Sequence, residues 1–218
     1  MAIVEDAKRF VERITGFGRP KPKQLAGLTR PVTPQRFHFK DDGTTPNNKS
    51  LPLLLYRRAI KLPKEFDPAA VIETLFARNG WKDSWRDGVY DFLHFHTRTH
   101  EALGIARGSV RVQFGGTGGK IIALRAGDAV VLPAGTGHQR IAQSDDLLVV
   151  GAYPATGRYD EPRPDDVDHD EAVIAIAKTR LPAKDPIYGN TGPLRRLWRK
   201  DATHAPRRAA MARRAATR

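Results

Sequence analysis

Between residues 88 and 154 the chain breaks into short β-prone runs at close spacing: Tyr90 to His96, Glu101 to Ile105, Val110 to Phe114, Ile121 to Arg125, Ala129 to Leu132 and Leu147 to Tyr153. Gly115 to Gly119, Ala126 to Asp128 and Ser144 to Asp146 separate several of them with residues that favour turns. Many short strands so close together predict a mainly β sandwich or barrel. Around them stand a few helices. Asp67 and Pro68 open an amphipathic segment through Ala70, Val71, Leu75 and Phe76 that Asn79 and Gly80 close, the pattern of a capped helix. Leu51 onward predicts a strand, and Glu171 to Lys178 predicts a helix with acids near its start and a base at its end.

The ends read differently. Ile3, Val4, Ala7, Phe10, Val11 and Ile14 share one helical face, expected to dock on the protein's own core or on a second subunit. Residues 17–50, rich in Pro, Gly, Lys and Asn, read as an irregular arm. The organisation predicted is therefore a helix and arm over 1–50, a barrel with flanking helices over 51–182, and an irregular, disordered basic tail over 183–218.

Net charge decides against a nucleic-acid-binding body. The total is +13, but residues 1–50 carry 10 basic against 5 acidic residues, 51–194 carry 18 against 18, and 195–218 carry nine against one. A phosphate-reading domain carries its basic patch on the folded part. Nucleic acid is left only as a possible partner of the tail. No apolar run is long enough for a membrane span and no secretory leader precedes Glu5, so a cytoplasmic protein is expected. The absence of cysteine removes thiolate metal sites and cysteine nucleophiles.

Of seven histidines, His94, His96, His100 and His138 lie in or beside the β-rich stretch. Side chains alternate along a strand, so His94 and His96 project to one face, together with Tyr90 and Phe92. Glu101 follows at the next strand's start. Three neutral imidazoles and one carboxylate suit a divalent transition ion with one or two coordination positions left open. His100, next to Glu101, faces the opposite way and is read as a neighbour of the site, not a ligand. Gly108, Gly127 and Gly135 mark corners, and Pro133 ends a strand before the loop that presents His138. Arg140 shares the inward face with His138 and could hold an anionic group. Tyr90, Phe92 and Gln113 are candidate pocket walls, Trp81 and Trp85 candidate rim residues. Leu93 and Phe95 point outward and need cover from the N-terminal arm or a second subunit, and a homodimer is expected.

The spacing Gly88, five residues, His94, one, His96, four, Glu101, six, Gly108 resembles the first motif of the cupin superfamily. Gly127, five residues, Pro133, one, Gly135, two, His138 resembles the second, with Ala142 where the motif closes on asparagine. The flanks, Asn79 to Tyr90 and Val149 to Pro154, are similar to small bacterial cupins of the YjlB type. The resemblance implies a single jelly-roll β-barrel with the RmlC-like cupin fold, and a metal on His94, His96, Glu101 and His138. Fe, Mn, Ni or Zn would suit those donors. It points by analogy to an enzyme acting on a small polar or anionic molecule, a dioxygenase first and an isomerase second. The alternative is a non-catalytic module that binds a metal or small ligand.

Overall fold

A computed structural model describes residues 2–203. Helix α1 (Ala2–Thr15) and a 3-10 turn (Pro22–Leu28) lead into strands β1 (Gln35–Phe37) and β2 (Leu53–Tyr56). Helix α2 (Pro68–Arg78) precedes β3 (Trp81–Asp87), β4 (Glu101–Arg107), β5 (Ser109–Phe114), β6 (Lys120–Arg125), β7 (Ala129–Leu132), β8 (His138–Gln143) and β9 (Leu148–Pro154). Helices α3 (His169–Lys178) and α4 (Leu194–Thr203) follow. None of the described helices is long and apolar enough to cross a membrane.

The protein is mainly β. One antiparallel sheet runs β1-β2-β7-β4-β9-β3 and a second runs β6-β5-β8. Residues 90–94 lie along the free edge of β8, through a bridge between His94 and His138 and an Arg140 N–H bond to the Tyr90 carbonyl. From β3 onward the chain therefore alternates between sheets, leaving only the β5-β6 hairpin within one. This is the strand order of a jelly roll, built from two facing sheets.

Two apolar layers follow from that stacking. Leu53, Leu55, Leu103, Ile105, Val112 and Phe114 fill the space between the sheets. Ile72, Phe76, Trp81, Val131, Val150 and Trp198 fill the space between the larger sheet and the helices. The larger sheet is covered on both faces, so β2, β7 and β9 are buried along their whole length. β5 buries alternate residues, as a strand with one solvated face does.

Helix α2 forms as its signals predict: the Asp67 side chain accepts from the Ala70 amide at 2.8 Å and Pro68 occupies the first turn. Five expectations need correction. Tyr90 to His96 is not a regular strand, because its backbone groups turn to loops: Phe95 N–H meets the Pro162 carbonyl, and Gly135 N–H meets the His96 carbonyl. Trp81 and Trp85, read only as rim residues, lie on β3, which has a bulge between Lys82 and Trp85 where Asp83 takes φ 49°. The expected irregular tail contains α4, since Leu194 and Trp198, four apart, are fully buried and the Trp198 indole donates to the Pro52 carbonyl at 2.9 Å. Residues 204–218 of that tail lie outside the described residues. Phe95 is buried within the single chain, so it does not itself call for a second subunit.

The fifth correction concerns α1, which docks on its own chain through its polar face. The Arg86 side chain is 0% exposed and donates to Glu12 at 2.7 Å and Glu73 at 2.9 Å, with Asp67 at 3.4 Å and Glu5 at 3.8 Å. Lys8 bonds Asp67, and Arg9 bonds Glu73 at 2.8 Å. A fully buried guanidinium must be paired, and the acids of α1 supply two of its partners. That requirement outweighs the helix's apolar stripe, which faces outward.

Burial alone would raise the Glu73 and Asp67 carboxyls. Glu73 is held below its ordinary value by the Arg86 hydrogen bond and charge, and Asp67 by the Lys8 hydrogen bond, the Ala70 amide and the Arg86 charge. Groups depressed in the folded state add stability above their unfolded values, near pH 4, and lose it as pH falls further. Acidification below about pH 4 is therefore expected to release α1 before the sheets unfold, read by hydrogen exchange of the α1 amides. Arg86→Met, which removes a buried partner from each of four carboxylates, is expected to lower unfolding free energy by about 3–5 kcal/mol in urea titrations. A change under about 1 kcal/mol would contradict this account of α1.

Candidate metal centre

His94 and His138 come from different motifs and meet through the backbone. The His138 N–H donates to the His94 carbonyl at 2.9 Å and the His94 N–H to the His138 carbonyl at 3.2 Å, which sets their ring centroids 4.0 Å apart. The His96 ring centroid is 5.8 Å from that of His94 and 5.7 Å from that of His138. One ligand atom from each of the three lies within 4.8 Å of the others. Glu101, the first residue of β4, completes the group: its Oε2 is 3.4 Å from His96 Nε2 and 3.3 Å from His138 Nε2. All four residues are buried.

The outer nitrogens are tied to backbone. His94 Nδ1 donates to the Phe92 carbonyl at 3.2 Å, His138 Nδ1 to the Thr136 carbonyl at 3.0 Å and His96 Nδ1 to the Asp160 carbonyl. A carbonyl can only accept, so each Nδ1 carries the proton and each Nε2 presents a lone pair inward. His96 Nε2 and Glu101 Oε2 are buried without a hydrogen-bond partner among the described residues. Unpaired buried polar atoms are costly, and a cation between them removes that cost. These donors therefore fit a divalent ion.

The loop carrying His138 is pinned from behind. The Asn47 side chain accepts from the Gly137 amide at 3.2 Å and donates to the Gly115 carbonyl, and Asn48 donates to the Ala134 carbonyl at 2.9 Å. Gly135 sits at φ +91°, where a Cβ would come within 2.7 Å of the Asn47 carbonyl oxygen. The expected irregular arm is thus part of the site's scaffold.

Electrostatics prepares the donors. Burial, then the neighbouring His138 charge, hold His94 down to about 3, so it stays neutral across ordinary pH. Burial would also lower His96, but the Glu101 charge beside it outweighs that and raises it. Burial would raise Glu101; His96 and His138 outweigh it and keep the carboxyl ionised well below the usual range.

A cavity of about 350 Å³ opens onto the four residues, lined further by Trp85, Tyr90, Tyr153, Tyr159, Asp87 and Glu161. A more open groove of about 690 Å³, lined by Pro31, Tyr188 and Arg196 among others, holds none of these ligands. Tyr90 and Trp85 are brought to the site as expected. Trp85 lies flat on Gly151, where a Cβ would meet the indole at 2.1 Å, and its Nε1 donates to the Tyr153 hydroxyl at 2.8 Å. Trp81 is instead a core residue whose indole donates to the Lys184 carbonyl.

Gln113 does not reach the cavity, because alternation on β5 turns it outward to Gln139 and the Gly116 carbonyl. Arg140 pairs in register with inward Val112, yet its guanidinium bonds Gln143 at 2.8 Å and Asp91 at 3.2 Å outside the cavity. His100 faces away as expected: its Nδ1 accepts from the Ala134 amide at 3.0 Å and its ring packs on Trp198. Sequence reasoning missed Tyr159, Asp160 and Glu161, which lie in a loop with no periodicity to mark them. Tyr153 could have been found, since it ends the strand Leu147 to Tyr153.

No family model matches the chain. A protein of Bacillus subtilis (strain 168), described as "Uncharacterized protein YjlB", is 40% identical over 166 residues, covering 76% of this chain and 97% of that one. Similar solved structures include a TDP-quinovose 3,4-ketoisomerase, WlaRB, from Campylobacter jejuni, with 16% identity, 43% of this chain and 75% of that one covered, and a TM-score of 0.34. An acireductone dioxygenase from Bacillus anthracis, with a cadmium ion in its active centre, is 20% identical over 40% of this chain and 62% of that one, with a TM-score of 0.30. Likenesses this distant carry no argument about activity.

Proposed function

The chain belongs to the YjlB family, and from that premise, together with four inward-facing donors in one cavity, we propose that it is a metal-binding cupin that acts on a small polar molecule. His94, His96, Glu101 and His138 would hold one divalent transition ion, with Fe, Mn, Ni and Zn all compatible with such donors. The observation that carries this reading is the pair of buried, unpartnered atoms, His96 Nε2 and Glu101 Oε2, beside three imidazoles whose other nitrogens are anchored. When bound, such an ion supplies Lewis acidity and open coordination positions.

The surrounding residues support turnover over mere storage. Tyr153 and Tyr159 wall the approach, with ring centroids 5.6 and 5.5 Å from His96. Burial, then the Glu101 charge, keep the Tyr153 phenol protonated far above neutral pH, so it can donate a hydrogen bond into the cavity but does not act as a base. Among the described residues no free general base stands deep in the cavity, which favours chemistry that relies on open metal positions: a dioxygenase first, an isomerase second. The alternative is a non-catalytic module that binds a metal or small ligand.

Elemental analysis of protein purified without added metal is expected to give near one equivalent of a transition metal, with His96→Ala and His138→Ala losing it. Metal-free wild type, or variants that keep their metal, would overturn the reading. Oxygen uptake by the loaded protein then separates an oxygen-using enzyme from a silent module.

A second reading concerns assembly. Val4, Phe10, Val11 and Ile14 on α1 are 71%, 66%, 53% and 70% exposed, a contiguous apolar stripe of the kind that marks an interface. A second copy of the chain covering this stripe accounts for it, as a homodimer. Light scattering is expected to give twice the chain mass, reduced to the single-chain mass by Val11→Glu; a monomeric wild type would sink the dimer.

A further inference from the structure

The charge at the cavity mouth runs against that of the chain. The whole sequence is +13, yet the ionisable residues lining this cavity besides the histidines and tyrosines are Asp6, Asp87, Glu101 and Glu161 against Arg9 and Arg86. Both arginines are engaged elsewhere. Arg86 is enclosed by Glu12 and Glu73, and Arg9 bonds Glu73 at 2.8 Å through Nε and Ser84 through its guanidinium. Asp67 at 3.4 Å and Glu5 at 3.8 Å also face Arg86, so four carboxylates compensate its charge. By contrast, Asp87 accepts from the Gly88 amide and Glu161 from the Tyr159 hydroxyl, both neutral donors, so their charges stay uncompensated by these contacts.

Aromatic rings stand between those carboxylates and the buried donors. Tyr153 and Tyr159 meet edge to face at 5.0 Å, and Tyr90 lies 5.2 Å from His94. Tyr90 and Tyr159 line one cavity together with Asp87 and Glu161. Ring faces are electron-rich and attract cations, most strongly where carboxylates add their charge. An anion would meet both as repulsion. Deeper in, His96 Nε2 and Glu101 Oε2 are at most 4% exposed by residue, unpartnered and aimed into the same space, which marks it as built to receive a ligand.

We propose that the molecule bound here carries a positively charged ammonium group, seated at the Tyr90 and Tyr159 rings between Asp87 and Glu161, with its polar remainder directed toward His96 and Glu101. This replaces an anionic substrate, whose sequence-level support was Arg140. It rests on the cavity assigned under the proposed function, but not on the ion.

The test uses the full chain, both as purified and after dialysis against a chelator. Choline, its uncharged isostere 3,3-dimethylbutan-1-ol and the anion glycolate are titrated separately and followed by proton NMR. Choline is expected to bind about tenfold more tightly than the isostere, to weaken as salt rises, and to resist competition by glycolate in the chelated protein. The double variant Asp87→Asn, Glu161→Gln is expected to lose the preference while keeping its melting temperature and metal content. Equal binding of choline and the alcohol, tighter glycolate, or an unchanged preference in the double variant would overturn the proposal. Metal-loaded protein with no ammonium preference would defeat this inference alone. Metal-free protein that still prefers choline would defeat the metal reading alone.

Discussion

The two backbone hydrogen bonds between His94 and His138 tie the first sequence motif to the second, and the rest of the site is arranged around them. They place two imidazoles side by side at the open edge of β8. Glu101 reaches the same point from the larger sheet, because β4 pairs with β7 with Glu101 opposite Leu132. The four donors therefore come from both sheets of the jelly roll. A buried carboxylate with one oxygen unpaired is expensive in an apolar interior, on the order of several kcal/mol. Imidazoles at 3.3 and 3.4 Å offset part of that, and a cation among them would offset the rest.

The same rule, with the opposite sign, organises the other end of the molecule. Arg86 is buried on β3 and gathers carboxylates from α1, from the cap of α2 and from within α2. In doing so it holds the N-terminal helix beside the cavity, where Asp6 and Arg9 become lining residues. The arm that follows contributes Asn47 and Asn48 to the back of the His138 loop. Segments that look peripheral in the sequence thus support the site from two directions.

What could be read from sequence was what depends on local chemistry. The Asp67 cap, the Pro68 start and the Asn79 stop describe α2 without knowledge of its neighbours. The spacing from Gly88 to His138 anticipates four residues that the fold does bring together. What could not be read depends on partners distant in the chain. Apolar periodicity marks a face on α1, but only the buried Arg86 decides that the opposite face docks. The tail's arginine content hides Leu194 and Trp198, two residues sufficient to anchor one helix against the core. Residues 90–96 carry a strand-like pattern, yet only Tyr90 and His94 bond β8, while Phe95 bonds Pro162 and His96 bonds Gly135. Alternation placed Arg140 on the correct side of β8, while Asp91 and Gln143 determine where its charge ends up.

X-ray absorption at the metal edge, on protein loaded with one equivalent of the ion it retains in purification, tests the central claim most directly. The account predicts a first shell of three imidazole nitrogens and one carboxylate oxygen at about 2.0–2.2 Å, with one nitrogen lost in His94→Ala and the oxygen lost in Glu101→Ala. A shell without imidazole scattering, or one unchanged by either substitution, would contradict it.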